Sequence, residues 1–142
     1  MKISQAMIVK NEEKNIEKAL SWGKGIVAEQ IVVDTGSTDR TVEIAEKMGA
    51  KVVYFPWQDD FALAKNFAIS QCQYTWIALL DADEYFDEED AKKLPNLLKK
   101  VDKDSRFGGI LTAWLHLNQE GKVGEGGSII RIFRNRKDIL YR

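Results

Sequence analysis

The sequence predicts an α/β fold: a mostly parallel sheet with helices on both faces and an antiparallel C-terminal part. Three observations carry this prediction. Short apolar or β-branched runs, "ISQAMIV", "EQIVV", "KVVYF" and "WIALL", alternate with stretches of helical periodicity over residues 3–80. Consecutive strands joined by crossovers of that length are parallel, connected right-handedly, and buried on both faces. After residue 100 two apolar runs, "GGILTAWLHL" and "SIIRIFR", flank the Gly-rich "NQEGKVGEGG", which reads as a turn between antiparallel strands.

Each element has a local reason. Ile3–Val9 is a short strand, and residues 11–23 follow as a helix. There Asn11 serves as N-cap, Glu12 and Glu13 favour the positive dipole end, and Gly23 closes the helix. Glu29–Val33 is the second strand; the "TGSTD" turn opens a helix over Thr41–Met48, which Gly49 stops. Lys51–Phe55 is the third strand, and Asp60–Gln71 is a helix with Leu63, Ala64, Phe67 and Ala68 on one face. Trp76–Leu80 is the fourth strand. Asp87 then caps a helical stretch to Val101, with Glu88, Glu89 and Asp90 in its first turn and an interruption at Pro95. "LLKKVDKDSR" reads as a solvated helix end and loop.

Composition narrows the classes. A chain of 142 residues with 44% hydrophobic and 30% charged residues forms one ordinary globular domain with a real core. At a net charge of -1 there is no field favouring nucleic acid or an anionic membrane. No apolar run approaches the roughly 20 residues of a bilayer span, and the N-terminal stretch has too short an apolar core for a signal peptide. Cys72 is the single cysteine, so neither an internal disulfide nor a Cys-based zinc site is available. A cytoplasmic setting is the default expectation.

Ligands of open α/β sheets bind at the carboxyl ends of the strands. Three polar clusters fall at such ends: Lys10-Asn11-Glu12, Asp34 through Asp39, and Asp81-Ala82-Asp83-Glu84. In the last, strand-like alternation projects Asp81 and Asp83 to one side and Ala82 to the other. Two carboxylates so placed repel unless a cation sits between them, and oxygen-only ligands suit Mg²⁺ or Mn²⁺. An EF-hand is excluded, since its sixth and twelfth positions counted from Asp81 are Phe86 and Lys92. Seven of the ten residues 81–90 are acidic, and those of 87–90 are accounted for by helix capping. Gly36 permits a positive φ in the second cluster, where Thr38 or Asp39 can cap the helix. That turn lacks a P-loop lysine and a dinucleotide fingerprint. Asp34 reads equally as an acceptor for a base N–H or ribose hydroxyl and as an Asx-type cap of its own turn.

Together "MIVKNEEKNIEKAL", "IVVDTGSTDRTVEIAEKMGAKV", "DDFALAKNFAI" and "WIALLDADEYF" resemble, in order and spacing, the nucleotide-sugar half of a family 2 glycosyltransferase. "RIFRNRKDILYR" resembles the segment such enzymes carry after their antiparallel strands, so the match reaches most of the chain. The resemblance implies a truncated, Rossmann-like GT-A domain with a nucleotide-binding half over residues 1–86 and a partial acceptor-side half over 87–142. It implies that Asp34 recognises the base or ribose, that Glu12 helps bind the nucleoside, and that Lys65, where relatives more often have Arg, lies near the nucleotide. It further implies that Asp81 faces the ribose or the metal's water shell. Asp83 would coordinate a divalent ion, Mg²⁺ or Mn²⁺, that bridges the phosphates of a UDP-sugar. Transfer would go with inversion to an acceptor of unknown identity, through one general base.

That base is not identifiable. Glu120 and Glu125 lie in the Gly-rich segment and read as surface residues. Relatives continue into a His-Glu pair that this sequence does not reach before Arg142, which leads to the expectation of an N-terminal fragment with its base beyond that point. Two rivals follow: a catalytically incomplete nucleotide- or nucleotide-sugar-binding module, and a nucleotidyltransferase. The last would need a Gly- and basic-rich loop where "VKNEEKN" stands. His116 lacks a second His and reads as structural. Trp57, Trp76 and Trp114 fit core packing or stacking on a ring. Arg131, Arg134 and Arg136 form a basic edge suited to ion pairing or phosphate. An open sheet edge predicts self-association, to a homodimer, which sedimentation at micromolar concentration would test.

Overall fold

The computed structural model describes residues 2–104, 106, 108–117, 123–137 and 139; of residues 110–117 and 123–130 the backbone alone is described. Among the described residues, six strands form one sheet: β1 (Ile3–Val9), β2 (Glu29–Asp34), β3 (Lys51–Tyr54), β4 (Trp76–Leu79), β5 (Gly109–Leu117) and β6 (Val123–Arg134). Their order is β3-β2-β1-β4-β6-β5. β1 pairs in parallel with β2 and β4, and β2 with β3. β6 runs antiparallel to both β4 and β5. The mixed sheet expected from the sequence is therefore the one observed. Strand order reverses between β1 and β4, so the loops after those strands flank the crevice where such sheets take ligands.

Alternation along the strands fills both faces. Ala6, Ile31, Val33, Ile77, Leu79 and Phe133 face α3 (Phe61–Ser70), against its Ala68 and Ile69. On the other face Met7, Val9 and Val32 meet α1 (Ile16–Ser21) and α2 (Thr41–Lys47). There too Ile3, Trp76, Ala78 and Ile132 meet Leu94 and Leu98 of α4 (Glu88–Asp102). Two buried amides seat α1: Gln5 Nε2 donates to the Ala19 carbonyl at 2.9 Å, and Gln30 Nε2 to Gln5 Oε1 and the Leu20 carbonyl at 2.8 and 2.7 Å. A Cβ on Gly23 would come within 3.1 Å of both glutamines, so a larger residue there would have to push this network aside by a few tenths of an ångström.

Four expectations need correction. The first helix begins at Ile16, not at residue 11, because Asn11 adopts φ 54° and uses its side chain across the rim rather than as a cap. Pro95 does not interrupt α4: burial of Leu94 and Leu98 on the sheet outweighs the one missing amide. The Gly-rich segment is not all turn. Residues 123–127 belong to β6, paired with β5 through a register shift that suits glycine, while residues 118–122, with Glu120, lie outside the described set. In α3 Leu63 is 42% exposed; Ala64, Ala68 and Ile69 make the buried face, with Phe67 stacked on Phe55.

Candidate functional site at the carboxyl rim

All three clusters lie at the carboxyl ends of adjacent parallel strands, β2, β1 and β4. The first two are knitted together. The Asn11 amide donates to Ser37 Oγ at 2.9 Å, and Asn11 Oδ1 accepts from the Thr38 amide at 2.8 Å. The Glu12 amide donates to Thr41 Oγ1 at 2.8 Å, and Glu13 Oε2 accepts from the Arg40 amide at 3.1 Å. Asp39 accepts from the hydroxyl and amide of Thr41 and from the Glu13 amide. Desolvation pushes the Asp39 carboxyl up, but those hydrogen bonds outweigh it and hold the group below the usual carboxylate range.

Asp34 ends β2 and is only 2% exposed. Its Oδ2 accepts from the Gly36 and Ser37 amides at 3.2 and 3.1 Å, while Oδ1 has only a 3.4 Å contact with the Ser37 amide. This is the Asx-type turn, with acceptor capacity left on Oδ1. Gly36, at φ 130°, gives that turn its shape. Glu12 is half-buried, and its Oε2 accepts from Asn15 Nδ2 at 3.0 Å. Lys65 lies half-buried in α3, whose N-terminal end is at this rim; Asp60 caps that end by accepting from the Leu63 amide at 3.2 Å.

The turn after β4 is built differently. Ala82 is buried among Met7, Val9 and Leu20, so Asp81 and Asp83 on either side of it are both exposed. The strand-like alternation expected of this motif is not what exposes them: β4 ends at Leu79, and residues 81–84 form a turn. Glu84 Oε1 accepts from the Asp81 amide at 2.7 Å, and the Glu84 amide donates to the Asp81 carbonyl at 3.0 Å. Arg131 reaches over from β6, with Nη2 at 2.8 Å from Glu84 Oε2 and 3.7 Å from Asp81 Oδ2. The described residues hold no group of three or more His, Cys, Asp or Glu arranged for a metal ion.

The remaining candidates sort clearly. Asp87 caps α4 by accepting from the Glu89 amide at 3.1 Å, as expected. Arg134 pairs with Asp102 at 3.1 Å and stacks over Trp76, whose Nε1 donates to Asp102 at 2.9 Å. Trp76 is therefore core, and Trp57 packs edge-on against Phe61. The side chains of Trp114, His116 and Glu125 lie outside the described residues. Sequence reasoning missed the cross-rim role of Asn11 and the pairing of Arg131 with the acidic turn. The first had a signal, an Asn directly after a strand and able to adopt a left-handed φ; the second depends on β6 lying beside β4, which no local pattern encodes.

No helix among the described residues is long and apolar enough to cross a membrane. The family model for glycosyl transferase family 2 matches residues 4–139. A TPR repeat-containing protein of Synechococcus elongatus is 37% identical over 142 residues, which are 99% of this chain and 33% of that protein. An uncharacterized glycosyltransferase of Rickettsia bellii is 49% identical over 88 residues, 62% of this chain and 30% of that protein. Among solved structures, S. aureus TarS 1-349 superimposes with a TM-score of 0.63 at 26% identity, over 72% of this chain and 33% of that one. Glucosyl-3-phosphoglycerate synthase from Mycobacterium tuberculosis shares the fold, with a TM-score of 0.60 at 22% identity over 78% of this chain and 42% of that one. The chain thus spans about a third of the length of the curated relatives it matches. With the model match running nearly from end to end over the strands that build this rim, the chain belongs to glycosyl transferase family 2.

Proposed function

We propose that this chain forms the donor-binding part of a metal-dependent glycosyltransferase, which takes its sugar from a UDP-sugar and passes it with inversion to an acceptor. One observation carries the reading: the polar ends of β2, β1 and β4 stand side by side at the point where the strand order reverses. TarS, crystallised in complex with UDP and with UDP-GlcNAc, supports a uridine nucleotide in particular.

In this reading Asp34 Oδ1 accepts a hydrogen bond from the base or ribose, and its Oδ2 keeps the turn rigid. Glu12, at the end of the adjacent strand, binds the nucleoside from the other side, and Lys65 brings positive charge from α3. Asp83, helped by Asp81, holds Mg²⁺ or Mn²⁺. The donor set fits such an ion: two exposed carboxylates flank a buried alanine, and Mg²⁺ typically takes one or two carboxylates plus substrate phosphates. Bound there, the ion would offset the negative charge that develops on the departing diphosphate.

Calorimetry with UDP, with and without Mn²⁺, tests this. The expected result is Mn²⁺-dependent binding that Asp83→Ala weakens by at least roughly tenfold, a loss seen even for residues behind the ligands of metal sites. UDP binding indifferent to both Mn²⁺ and Asp83→Ala rejects the metal assignment; no UDP binding at all rejects the donor site.

A further inference from the structure

We infer that Arg131 acts as a fixed counter-charge beneath the acidic turn, keeping its affinity for a bare divalent cation low and making cation uptake depend on the diphosphate. This rests on the metal site proposed above and assigns a positioning role to a residue outside it.

Arg131 stands on β6 next to Ile132, which pairs with Ala78 of β4. A largely buried guanidinium, 13% exposed, here serves two carboxylates of unequal burial, Glu84 at 23% and Asp81 at 60%. The 2.8 Å contact with Glu84 is a charge-assisted hydrogen bond, while the 3.7 Å contact with Asp81 is a looser Coulombic one. Glu84 is itself tied to the Asp81 backbone at both its carboxylate and its amide. Arg131, Glu84 and the Asp81 backbone therefore form one closed unit. Arg131 Nε is buried in it with no hydrogen-bond partner among the described residues, so the guanidinium is not saturated by the acids it faces.

Two consequences follow for a cation arriving at Asp81 and Asp83. It must share Asp81 with a guanidinium that repels it, and arginine cannot relieve that repulsion by losing a proton. Glu84, which could otherwise add a third carboxylate, is withheld by its bond to Arg131. Both obstacles shrink when a diphosphate brings negative charge to the same place. Metal and nucleotide then bind with positive coupling, each improving the other by the same factor. The arginine thus selects for the metal–diphosphate pair over the free ion.

The test is Mn²⁺ titration without nucleotide into wild type, Arg131→Gln, Arg131→Lys and Glu84→Gln, with thermal melts to confirm cooperative folding. Arg131→Gln is expected to bind Mn²⁺ alone roughly tenfold more tightly, from loss of a nearby like charge, and to show a correspondingly smaller gain from UDP. Arg131→Lys keeps the charge and stays near wild type. Glu84→Gln releases the guanidinium toward Asp81 and weakens Mn²⁺ binding further. Folded Arg131→Gln with unchanged or weaker Mn²⁺ affinity overturns the inference. Should that variant not fold, Glu84→Gln with unchanged or tighter affinity does so. Wild type that binds UDP without any help from Mn²⁺ would instead reject the metal reading, and the nucleotide-free comparison would still decide the role of Arg131.

Discussion

At the carboxyl ends of β1 and β2 the polar groups are spent on one another. Asn11 serves Ser37 and Thr38, Asp39 serves Thr41, and buried Asp34 serves the amides of its own turn. At the end of β4, one strand away, Asp81 and Asp83 stand in solvent, and Arg131 pairs with Glu84 and more loosely with Asp81. The first region is a rigid wall whose hydrogen bonds maintain shape. The second holds excess negative charge at low structural cost. A rim built this way has a preformed side for the nucleoside and a chargeable side for ion and phosphates. The difference teaches that a carboxylate's residue type says less about its role than how many of its lone pairs are already occupied.

Substitutions can break that contrast, and the largest effect belongs to the wall. Asp34→Ala strands the Gly36 and Ser37 amides and is expected to cost about 2–3 kcal/mol in urea unfolding. Asp34→Asn keeps an oxygen and should cost less. If the two variants lose equally little, the turn does not depend on Asp34 and the wall is not rigid.

Next comes a control on the opposite, α3-facing side of the sheet. Burial first, and then the charge of Glu29, push the Cys72 thiol up to about 12, against a hydrogen bond with Ser4 that lowers it. The folded value exceeds the unfolded one of about 8.5, so this contribution is complete below that pH and is lost as pH rises toward 12. Stability should fall by up to about 1 kcal/mol per pH unit in that window, a slope that Cys72→Ala lacks. At pH 8 the folded thiol should also resist modification by a disulfide reagent. Equal alkaline slopes in the two proteins would contradict the assignment.

Asn11→Ala removes the acceptor for the Thr38 amide and puts alanine at φ 54°, for about 1–2 kcal/mol. Asn11→Gly relieves the backbone and should recover part of that loss, which separates strain from hydrogen bonding. The smallest change in stability is expected from Asp83→Ala, within about 0.5 kcal/mol, since a solvent-exposed acid side chain supports little. A larger loss would mean that the β4 turn is a structural wall like its neighbour.

Much of this was legible in the sequence because strand ends and periodicity are local. "EQIVV" and "WIALL" are strands, buried Ala82 separates two exposed acids, and Asp60 and Asp87 start their helices. The misses trace to tertiary effects. Packing of Leu94 and Leu98 carries α4 through Pro95, and pairing with β5 keeps residues 123–127 extended despite three glycines. Asn11 gave up its capping role because Thr38, brought alongside by β1–β2 pairing, offered a better partner. Arg131 was visible only as part of a basic edge. Its partners lie 47 and 50 residues earlier in the chain, so no spacing rule could connect them.

The spatial claim is best tested by NMR on ¹⁵N-labelled protein given UDP and a small fraction of Mn²⁺. Paramagnetic broadening is predicted to fall on amides of residues 11–13, 36–38 and 81–84, and to spare Lys2, Ile3, Val27 and Ala28 at the other edge of the sheet. Broadening centred on that other edge, or none in a sample that has bound UDP, would contradict a shared site for ion and nucleotide at the β2–β1–β4 rim.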